Sequence, residues 1–211
     1  MSPYNGLNEE LFKDTTLKLI SDHPLEKEDI IEAVLTSWNE IFNSRIGDLS
    51  YGKDIFPTPQ MLSNFLHELV PHFLSKQYPT KYRVGMSKDE KDIVYEPDRR
   101  FSVEVKASSS RNDIYANRSY AQPASDNSKK SKNGYYIAIN FEKFRKEDDN
   151  YIKSQYLEGV LQYPLITKIK FGYLDHTDWK PQKAATGQQA SLTRLAKKVK
   201  LIQIYPDTQK S

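Results

Sequence analysis

The stretch that decides the fold is KDIVYEPDRRFSVEVK, residues 91–106. Runs rich in β-branched and aromatic residues stand at both ends, and between them lies EPDRR, whose Pro and Asp favour a turn. The pattern predicts a β-hairpin that turns near residue 98. Because neighbouring residues of a strand face opposite sides of a sheet, Glu104 and Lys106 share one face and Val105 points into the other layer.

A hairpin with this centre places Asp92 opposite Glu104, with Cβ atoms roughly 5 Å apart. Two carboxylates at that distance repel unless a cation lies between them, and hard oxygen ligands suit Mg²⁺. Lys106 beside them can hold or orient a water molecule. These groups are the parts needed for metal-assisted phosphodiester hydrolysis. The open alternative is a surface hairpin with an ordinary cross-strand Lys–Glu pair.

The same string resembles the PD-(D/E)xK nuclease signature, in which Glu104-Val-Lys106 would form the second half. The literal Pro97-Asp98 lies only five residues before Glu104, at the tip of the hairpin, which is too near to reach the metal. We therefore assign the first acid to Asp92 and interpret Asp98 as a turn residue.

Helical periodicity precedes the hairpin, and strand-like runs follow it. Predicted helices cover 8–20 and 24–46, and a third begins at Thr58 and should be kinked or split by Pro71. Predicted strands after the hairpin cover 134–141, 166–174 and 199–205, with helices at 150–162 and 187–197 between them. This order predicts an α/β fold with a mixed central β-sheet flanked by helices, the PD-(D/E)xK restriction-endonuclease-like core.

Length and composition set the class of protein. The 211 residues predict a single domain, with an N-terminal helical region (1–57) and a core (58–211). Without cysteine, zinc ribbons, thiol nucleophiles and disulfide scaffolds are excluded. A mean hydropathy of -0.73 and the acidic N-terminus predict a cytoplasmic protein without a membrane span or signal peptide.

The net charge of +3 hides an uneven distribution. Residues 1–32 hold eight acids and three bases, whereas residues 99–132 hold eight bases and three acids. A basic region of this kind attracts a polyphosphate backbone even when the total charge is small. The alternative is that these lysines and arginines only keep a surface loop in solution.

The polar segment 109–133 predicts a long basic surface loop that enters a DNA groove. Its side chains include the types that read base edges and those that hold phosphates. The base-reading candidates are Arg111, Asn117, Arg118, Tyr120 and Gln122, and the phosphate-binding candidates are Lys129, Lys130 and Lys132. Further base-contact candidates are Gln182, Gln188 and Gln189.

Three longer strings carry a more specific resemblance. They are YANRSYAQ (115–122), SKKSKNGYYIAINF (128–141), and FGYLDHTDW (171–179) followed by GQQASL (187–192). Together with the hairpin they resemble the ScaI-type family of type II restriction endonucleases, over about residues 60–204. The resemblance implies a Mg²⁺-dependent homodimer that cuts both strands of a short palindromic DNA site and leaves 5′-phosphates, with a cognate DNA methyltransferase protecting the host.

Other ionisable residues are weaker candidates. Glu68 belongs to the helix before the hairpin, where it could supply an additional carboxylate or face solvent. The group of Asp175, His176 and Asp178 could ligate a metal, form structural hydrogen bonds or contact DNA. The sequence gives His23, His67 and His72 the character of ordinary surface or boundary residues.

The leading hypothesis is a site-specific, Mg²⁺-dependent DNA endonuclease. Asp92 and Glu104 would hold the metal, Lys106 would act on water and Glu68 would support them. One alternative is a structure-specific repair or resolvase-type nuclease on the same core. Another is a DNA-binding module without catalysis. The absence of a GxxxxGK[ST] string argues against ATP-driven cleavage or translocation by this chain.

Overall fold

A computed structural model describes residues 2–122, 131–144, 163–181 and 189–207. It contains three α-helices in this part of the chain: α1 (Phe12–Ser21), α2 (Lys27–Asn43) and α3 (Pro59–Gln77). Short helical turns cover Glu9–Leu11, Arg99–Phe101, Arg118–Ala121 and His176–Asp178, and a π-helix covers Ala196–Lys200. No helix among these residues is both long and apolar enough to cross a membrane.

The helices form where the sequence pattern predicts them. In α2 the buried side chains recur every three or four residues, as in Ile30, Val34 and Trp38, so that one stripe faces the core. At the start of α3 the Thr58 hydroxyl accepts a hydrogen bond from the Met61 N–H at 3.3 Å. Of the kink or split predicted at Pro71, the split does not occur, because α3 runs through that residue as one helix.

Eleven strands form in the described residues, and six of them make the central sheet. They are β1 (Arg45–Ile46), β2 (Leu49–Ser50), β3 (Tyr82–Val84), β4 (Ile93–Tyr95), β5 (Val103–Ser108), β6 (Tyr115–Asn117), β7 (Gly134–Phe141), β8 (Ile166–Leu174), β9 (Trp179–Pro181), β10 (Gln189–Leu192) and β11 (Leu201–Tyr205). The central sheet has the order β11-β8-β7-β5-β4-β3, and β5 pairs with β7 in parallel while its other pairs are antiparallel. The predicted mixed sheet flanked by helices is confirmed.

The predicted hairpin is confirmed as β4 and β5. Ile93 pairs with Val103, so the register places Asp92 next to Glu104 across the two strands. The turn between them contains a short helical turn whose first residue is capped by Asp98. The Asp98 carboxylate accepts a hydrogen bond from the Arg100 N–H at 3.0 Å and binds its guanidinium, and this contact lowers the Asp98 pKa. Asp98 is therefore the turn residue that the sequence predicts.

Two apolar layers enclose the central sheet. Alternate residues of β5 and β7, including Val103, Val105 and Ile137, pack with α2 and α3 in the larger cluster. On the opposite face, Tyr136 and Ala138 of β7 pack against a three-stranded sheet of order β6-β10-β9, which we call the small sheet. Glu104 and Lys106 pair with Tyr136 and Ala138, so they lie on this second face.

Two predictions about the segments around the small sheet hold only in part. The helix predicted over 187–197 is correct for residues 194–197, which are helical and lead into the π-helix, and wrong for residues 189–192, which form β10, where the buried Ala190 pairs with both β6 and β9. The loop predicted over 109–133 contains β6 and the turn Arg118–Ala121 in its described part. The helix predicted over 150–162 lies outside the described residues.

Candidate active site

The catalytic candidates converge at one end of the hairpin. The Lys106 ammonium lies 2.8 Å from Glu104 Oε1, two residues away on the same face of β5. Asp92 precedes β4, and its Oδ2 accepts a hydrogen bond from the Val105 N–H at 2.7 Å. This bond fixes the Asp92 carboxylate to the backbone between Glu104 and Lys106. The three side chains therefore meet as the alternation and register predict.

Glu104 is held in a buried and charge-compensated position. The residue is 2% exposed, and burial of an ionised carboxylate is costly unless it is paired. Its Oε1 accepts hydrogen bonds from Lys106 and from the Tyr120 hydroxyl, the latter at 2.7 Å. The Lys106 ammonium also lies 5.2 Å from the centre of the Tyr120 ring. Burial, helped by the negative charge of Glu104, holds the pKa of the Tyr120 hydroxyl far above its ordinary value, so Tyr120 donates this bond as a neutral phenol.

A cleft of about 760 Å³ opens in front of these groups. The first half of α3 forms one wall, β5 forms the floor, and the small sheet with the turn after β6 forms the other wall. Its lining includes His67, Glu104, Lys106, Asn117, Tyr120 and Gln189. The cleft therefore gives Glu104 and Lys106 access from outside, and polar side chains of the small sheet border the same space.

His67 is a site residue that the sequence did not reveal. Its Nδ1 lies 3.4 Å from Asp92 Oδ2, close enough for an ion pair when the ring is protonated, and the residue lines the cleft. The sequence did contain a signal: Ser63, Asn64 and His67 are spaced three and four residues apart, which places these polar side chains on one face of the helix. All three line the cleft. Glu68, the next residue, is exposed and is absent from the lining of the cleft.

His23 also differs from the sequence prediction of a surface or boundary residue. It is 4% exposed, accepts a hydrogen bond from the Leu25 N–H on Nδ1, and carries its proton on Nε2, which donates to the Phe101 carbonyl at 3.0 Å. Burial lowers the pKa of His23 to about 4. The ring is thus a neutral part of the core rather than a surface group.

The candidate DNA-contacting residues occupy different environments. Asn117 is exposed and borders the cleft, and Arg111, Arg118 and Gln122 are exposed. Lys132 donates hydrogen bonds to the carbonyls of Ser119 and Gln122, so its ammonium holds the turn after β6 in place. Tyr120 lies inside the site beside Glu104. Of the other candidates, Gln189 borders the cleft, whereas Lys129, Lys130, Gln182 and Gln188 lie outside the described residues.

A second group of two carboxylates and a lysine lies away from the cleft. The Lys200 ammonium bonds to Asp175 Oδ2 at 2.8 Å and to Asp178 Oδ2 at 2.9 Å, with all three side chains under 10% exposed. Asp178 accepts the Asp175 N–H at 2.7 Å and thereby caps the following turn. The contacts give this pair a structural role, and His176 is exposed beside it.

The side chains present fit a divalent cation that takes only some of its ligands from the protein. In the part of the chain that the structure describes, no group of three or more His, Asp or Glu side chains is arranged to hold a metal ion. The neighbouring carboxylates of Asp92 and Glu104 remain as a pair of hard oxygen donors. Mg²⁺ characteristically takes one or two carboxylates, keeps several waters and binds substrate phosphates, so this pair, of which Glu104 lines the cleft, suits such an ion.

The fold is a restriction-endonuclease-like α/β core, and the candidate Asp–Glu–Lys site lies beside its central sheet. The chain belongs to the ScaI restriction endonuclease family, whose pattern matches residues 2–205. It is 39% identical to the Type II restriction enzyme ScaI of Streptomyces caespitosus over 99% of this chain and 87% of that protein. No solved structure gives a significant match. Family membership identifies the activity as that of a site-specific restriction endonuclease acting on double-stranded DNA.

Proposed function

We propose that this protein cuts both strands of a short palindromic DNA site in a Mg²⁺-dependent reaction that leaves 5′-phosphate ends. The observation that carries the proposal is the position of Glu104 and Lys106 at the floor of an open cleft, with the Asp92 carboxylate held behind them by the Val105 N–H. Two carboxylates on neighbouring strands and a lysine with access to the cleft are suited to hydrolysis of a phosphodiester.

Each of the three residues has a distinct task. Asp92 and Glu104 would hold Mg²⁺, which when bound lowers the pKa of water and polarises a phosphoryl oxygen. Lys106 orients the attacking water and offsets negative charge that develops on the phosphate. Water attacks phosphorus in line with the O3′ leaving group. The P–O3′ bond breaks, the phosphate remains on O5′, and O3′ takes a proton to become a hydroxyl. Glu68 would support this site from α3 when DNA is bound.

DNA would enter between α3 and the small sheet. Four exposed candidates lie in and around β6. Asn117 ends that strand, Arg118 begins the turn after it, Gln122 directly follows the turn, and Arg111 precedes the strand. Arg pairs with guanine and Asn or Gln with adenine in the major groove, so these residues would read bases. The same segment between β5 and β7 would also contribute positive charge toward the phosphates, from Lys129, Lys130 and Lys132.

A palindromic site calls for a protein with twofold symmetry, and we propose a homodimer. The N-terminal helical region is the candidate interface, because Leu7, Leu11 and Leu17 are 39–49% exposed there. Exposed apolar side chains in one region of the surface are suited to contact with a second copy of this chain. Sedimentation equilibrium should give twice the chain mass of 24.5 kDa, and Leu11→Glu with Leu17→Glu should lower it.

A cytoplasmic enzyme that cuts DNA at specific sites endangers the host chromosome. We therefore propose a cognate DNA methyltransferase that modifies the same site, acting on the DNA without forming a stable complex with this protein. Expression of the active chain without such a methyltransferase should reduce the viability of a host, whereas expression of Lys106→Ala should not.

The test of the proposed activity is plasmid digestion with Mg²⁺. Wild-type protein should give discrete fragments with 5′-phosphates, and Lys106→Ala should lose about 10²–10⁴-fold in cleavage rate, compared per folded molecule because the buried Glu104 also loses this partner. Lys76→Ala, an exposed lysine near the end of α3 and outside the cleft lining, is the matched control. Cleavage confined to branched or flapped DNA would favour the repair or resolvase-type nuclease, and metal-independent binding without cleavage would favour the DNA-binding module.

A further inference from the structure

One oxygen of the catalytic carboxylate joins two parts of the molecule. Glu104 Oε1 accepts one hydrogen bond from Lys106 on its own strand and one from Tyr120, sixteen residues later. The two donors approach at 2.8 and 2.7 Å. A carboxylate oxygen with two close donors has less electron density to offer a cation, because its lone-pair directions are already used.

Tyr120 is fixed to the small sheet rather than to β5. It lies in the turn Arg118–Ala121 directly after β6, and its ring meets that of Trp179 in β9 edge to face, with centroids 5.1 Å apart. The β6 strand pairs with β10, which pairs with β9, so the turn packs on a continuous unit. A displacement of the small sheet would therefore move the Tyr120 hydroxyl relative to Glu104.

The same unit carries polar side chains that border the cleft, where we propose that DNA enters. Asn117 and Gln189 pair across β6 and β10 and both border the cleft, while Arg118 begins the turn that contains Tyr120. Contact of DNA with these residues acts on the backbone that positions Tyr120. The Tyr120 hydroxyl donates to Glu104 Oε1 at 2.7 Å, so this bond depends on where the small sheet holds the ring.

We propose that Tyr120 is a specificity-positioning residue: its hydroxyl restrains Glu104 in the DNA-free protein, and correct contact of DNA with the small sheet releases that oxygen for the cation. The inference rests on the proposed function of Asp92, Glu104 and Lys106. It adds a connection between recognition and cleavage, so an incorrect site that fails to move the small sheet leaves Glu104 restrained.

The variant that tests this is Tyr120→Phe, which removes the hydroxyl and keeps the ring against Trp179. Tyr95→Phe is the matched control, because Tyr95 is a half-buried tyrosine of β4 that does not line the cleft. Mn²⁺ binding to the DNA-free proteins is followed by electron paramagnetic resonance, with Glu104→Gln identifying the ions that use this carboxylate. Tyr120→Phe should bind Mn²⁺ at this site at least about threefold more tightly than wild type and Tyr95→Phe.

The second measurement uses the site found by sequencing the ends of plasmid fragments, together with duplexes changed at one base pair. The ratio of cleavage rates between the correct and the changed duplex should fall about tenfold in Tyr120→Phe and stay constant in Tyr95→Phe. An unchanged ratio, or Mn²⁺ affinity equal to or weaker than that of wild type, would overturn the proposal. If wild type cuts no DNA, the proposed function fails, while the Mn²⁺ comparison still decides whether Tyr120 restrains Glu104.

Discussion

Two groups of two carboxylates and one lysine can be compared among the residues that the structure describes, and they differ in access. In the first, Lys106 meets Glu104 where a cleft reaches them. In the second, Lys200 binds Asp175 and Asp178, and its ammonium lies 4.2 Å from the centre of the Tyr4 ring, beneath the N-terminal segment. The same residue types therefore make a candidate active site in one place and a closed structural connection in the other.

The difference lies in how the positive charge is supplied. Lys200 bonds to both carboxylates of its group, so the charges of that group are compensated by side chains that water scarcely reaches. Lys106 bonds to Glu104, while Asp92 is held by a backbone N–H and lies beside His67. The group in the cleft thus combines carboxylate oxygens with an opening through which a cation and a phosphate can reach them. Access and charge balance, rather than composition, separate the two groups.

The largest effect that would sharpen this contrast is expected for Lys200→Met. Removal of the ammonium leaves two buried carboxylates without their cation, which should cost about 3–5 kcal/mol in the free energy of unfolding. Urea denaturation measures this loss. Lys198→Met, an exposed lysine in the same π-helix, should change the free energy of unfolding by less than about 0.5 kcal/mol.

Cleavage per folded molecule should stay within twofold of wild type in Lys200→Met, measured where the variant is folded. A selective loss of cleavage in a fully folded Lys200→Met protein would break the contrast, because it would give the buried group a part in catalysis.

A smaller effect is expected from pH, through the buried His23. Its pKa is about 4 in the folded protein and about 6.5 in an unfolded chain, so the folded state favours the neutral ring. The stabilisation is complete above pH 6.5 and is lost as pH falls toward 4. Between pH 7 and pH 4.5 the loss should be about 2 kcal/mol.

Urea denaturation of His23→Gln at the two pH values tests this expectation. The variant is less stable at pH 7, but it should lack this part of the acid-induced loss, whereas His72→Gln, at an exposed position of α3, should retain it. An acid-induced loss of equal size in wild type and His23→Gln would contradict the assignment of the buried histidine as the responsible group.

The smallest expected effect concerns the neighbours His67 and Glu68 on α3. His67 contacts Asp92, and loss of a side chain that orients a metal-binding carboxylate typically costs about tenfold in activity. His67→Gln should therefore lower the cleavage rate about tenfold. Glu68→Gln should lower it only about threefold, because Glu68 is exposed and lies outside the cleft lining of the DNA-free protein. A larger loss in Glu68→Gln than in His67→Gln would reverse the two assignments.

The sequence predicted the elements whose pattern is local. The spacing around residue 98 gave the register of β4 and β5, and continuous apolar runs gave the bounds of β7 and β8, which agree with the structure. The convergence of Asp92 with Glu104 followed from that register alone. Alternation within one strand and symmetry about one turn need no information from distant residues.

The residues that the sequence missed depend on contacts between distant segments. Residues 189–192 have the composition of a helix, yet they form β10 because β6 and β9 pair on either side of it. His67 meets Asp92 only because α3 packs beside β5, and Lys200 meets Asp175 only because a π-helix precedes β11. Such pairings are set by tertiary packing, which overrides local propensity.

The parallel pairing of β5 with β7 obliges the chain to leave the sheet and return to the same end of it before the next strand can form. In this protein that excursion, residues 109–133, contains β6, Asn117, Arg118 and Tyr120. Both of its ends are attached to adjacent strands of the central sheet. An exchange of this segment between related enzymes would therefore transfer the contact to Glu104 together with the side chains that we propose to read bases, while the flanking strands and the core they bury stay in place.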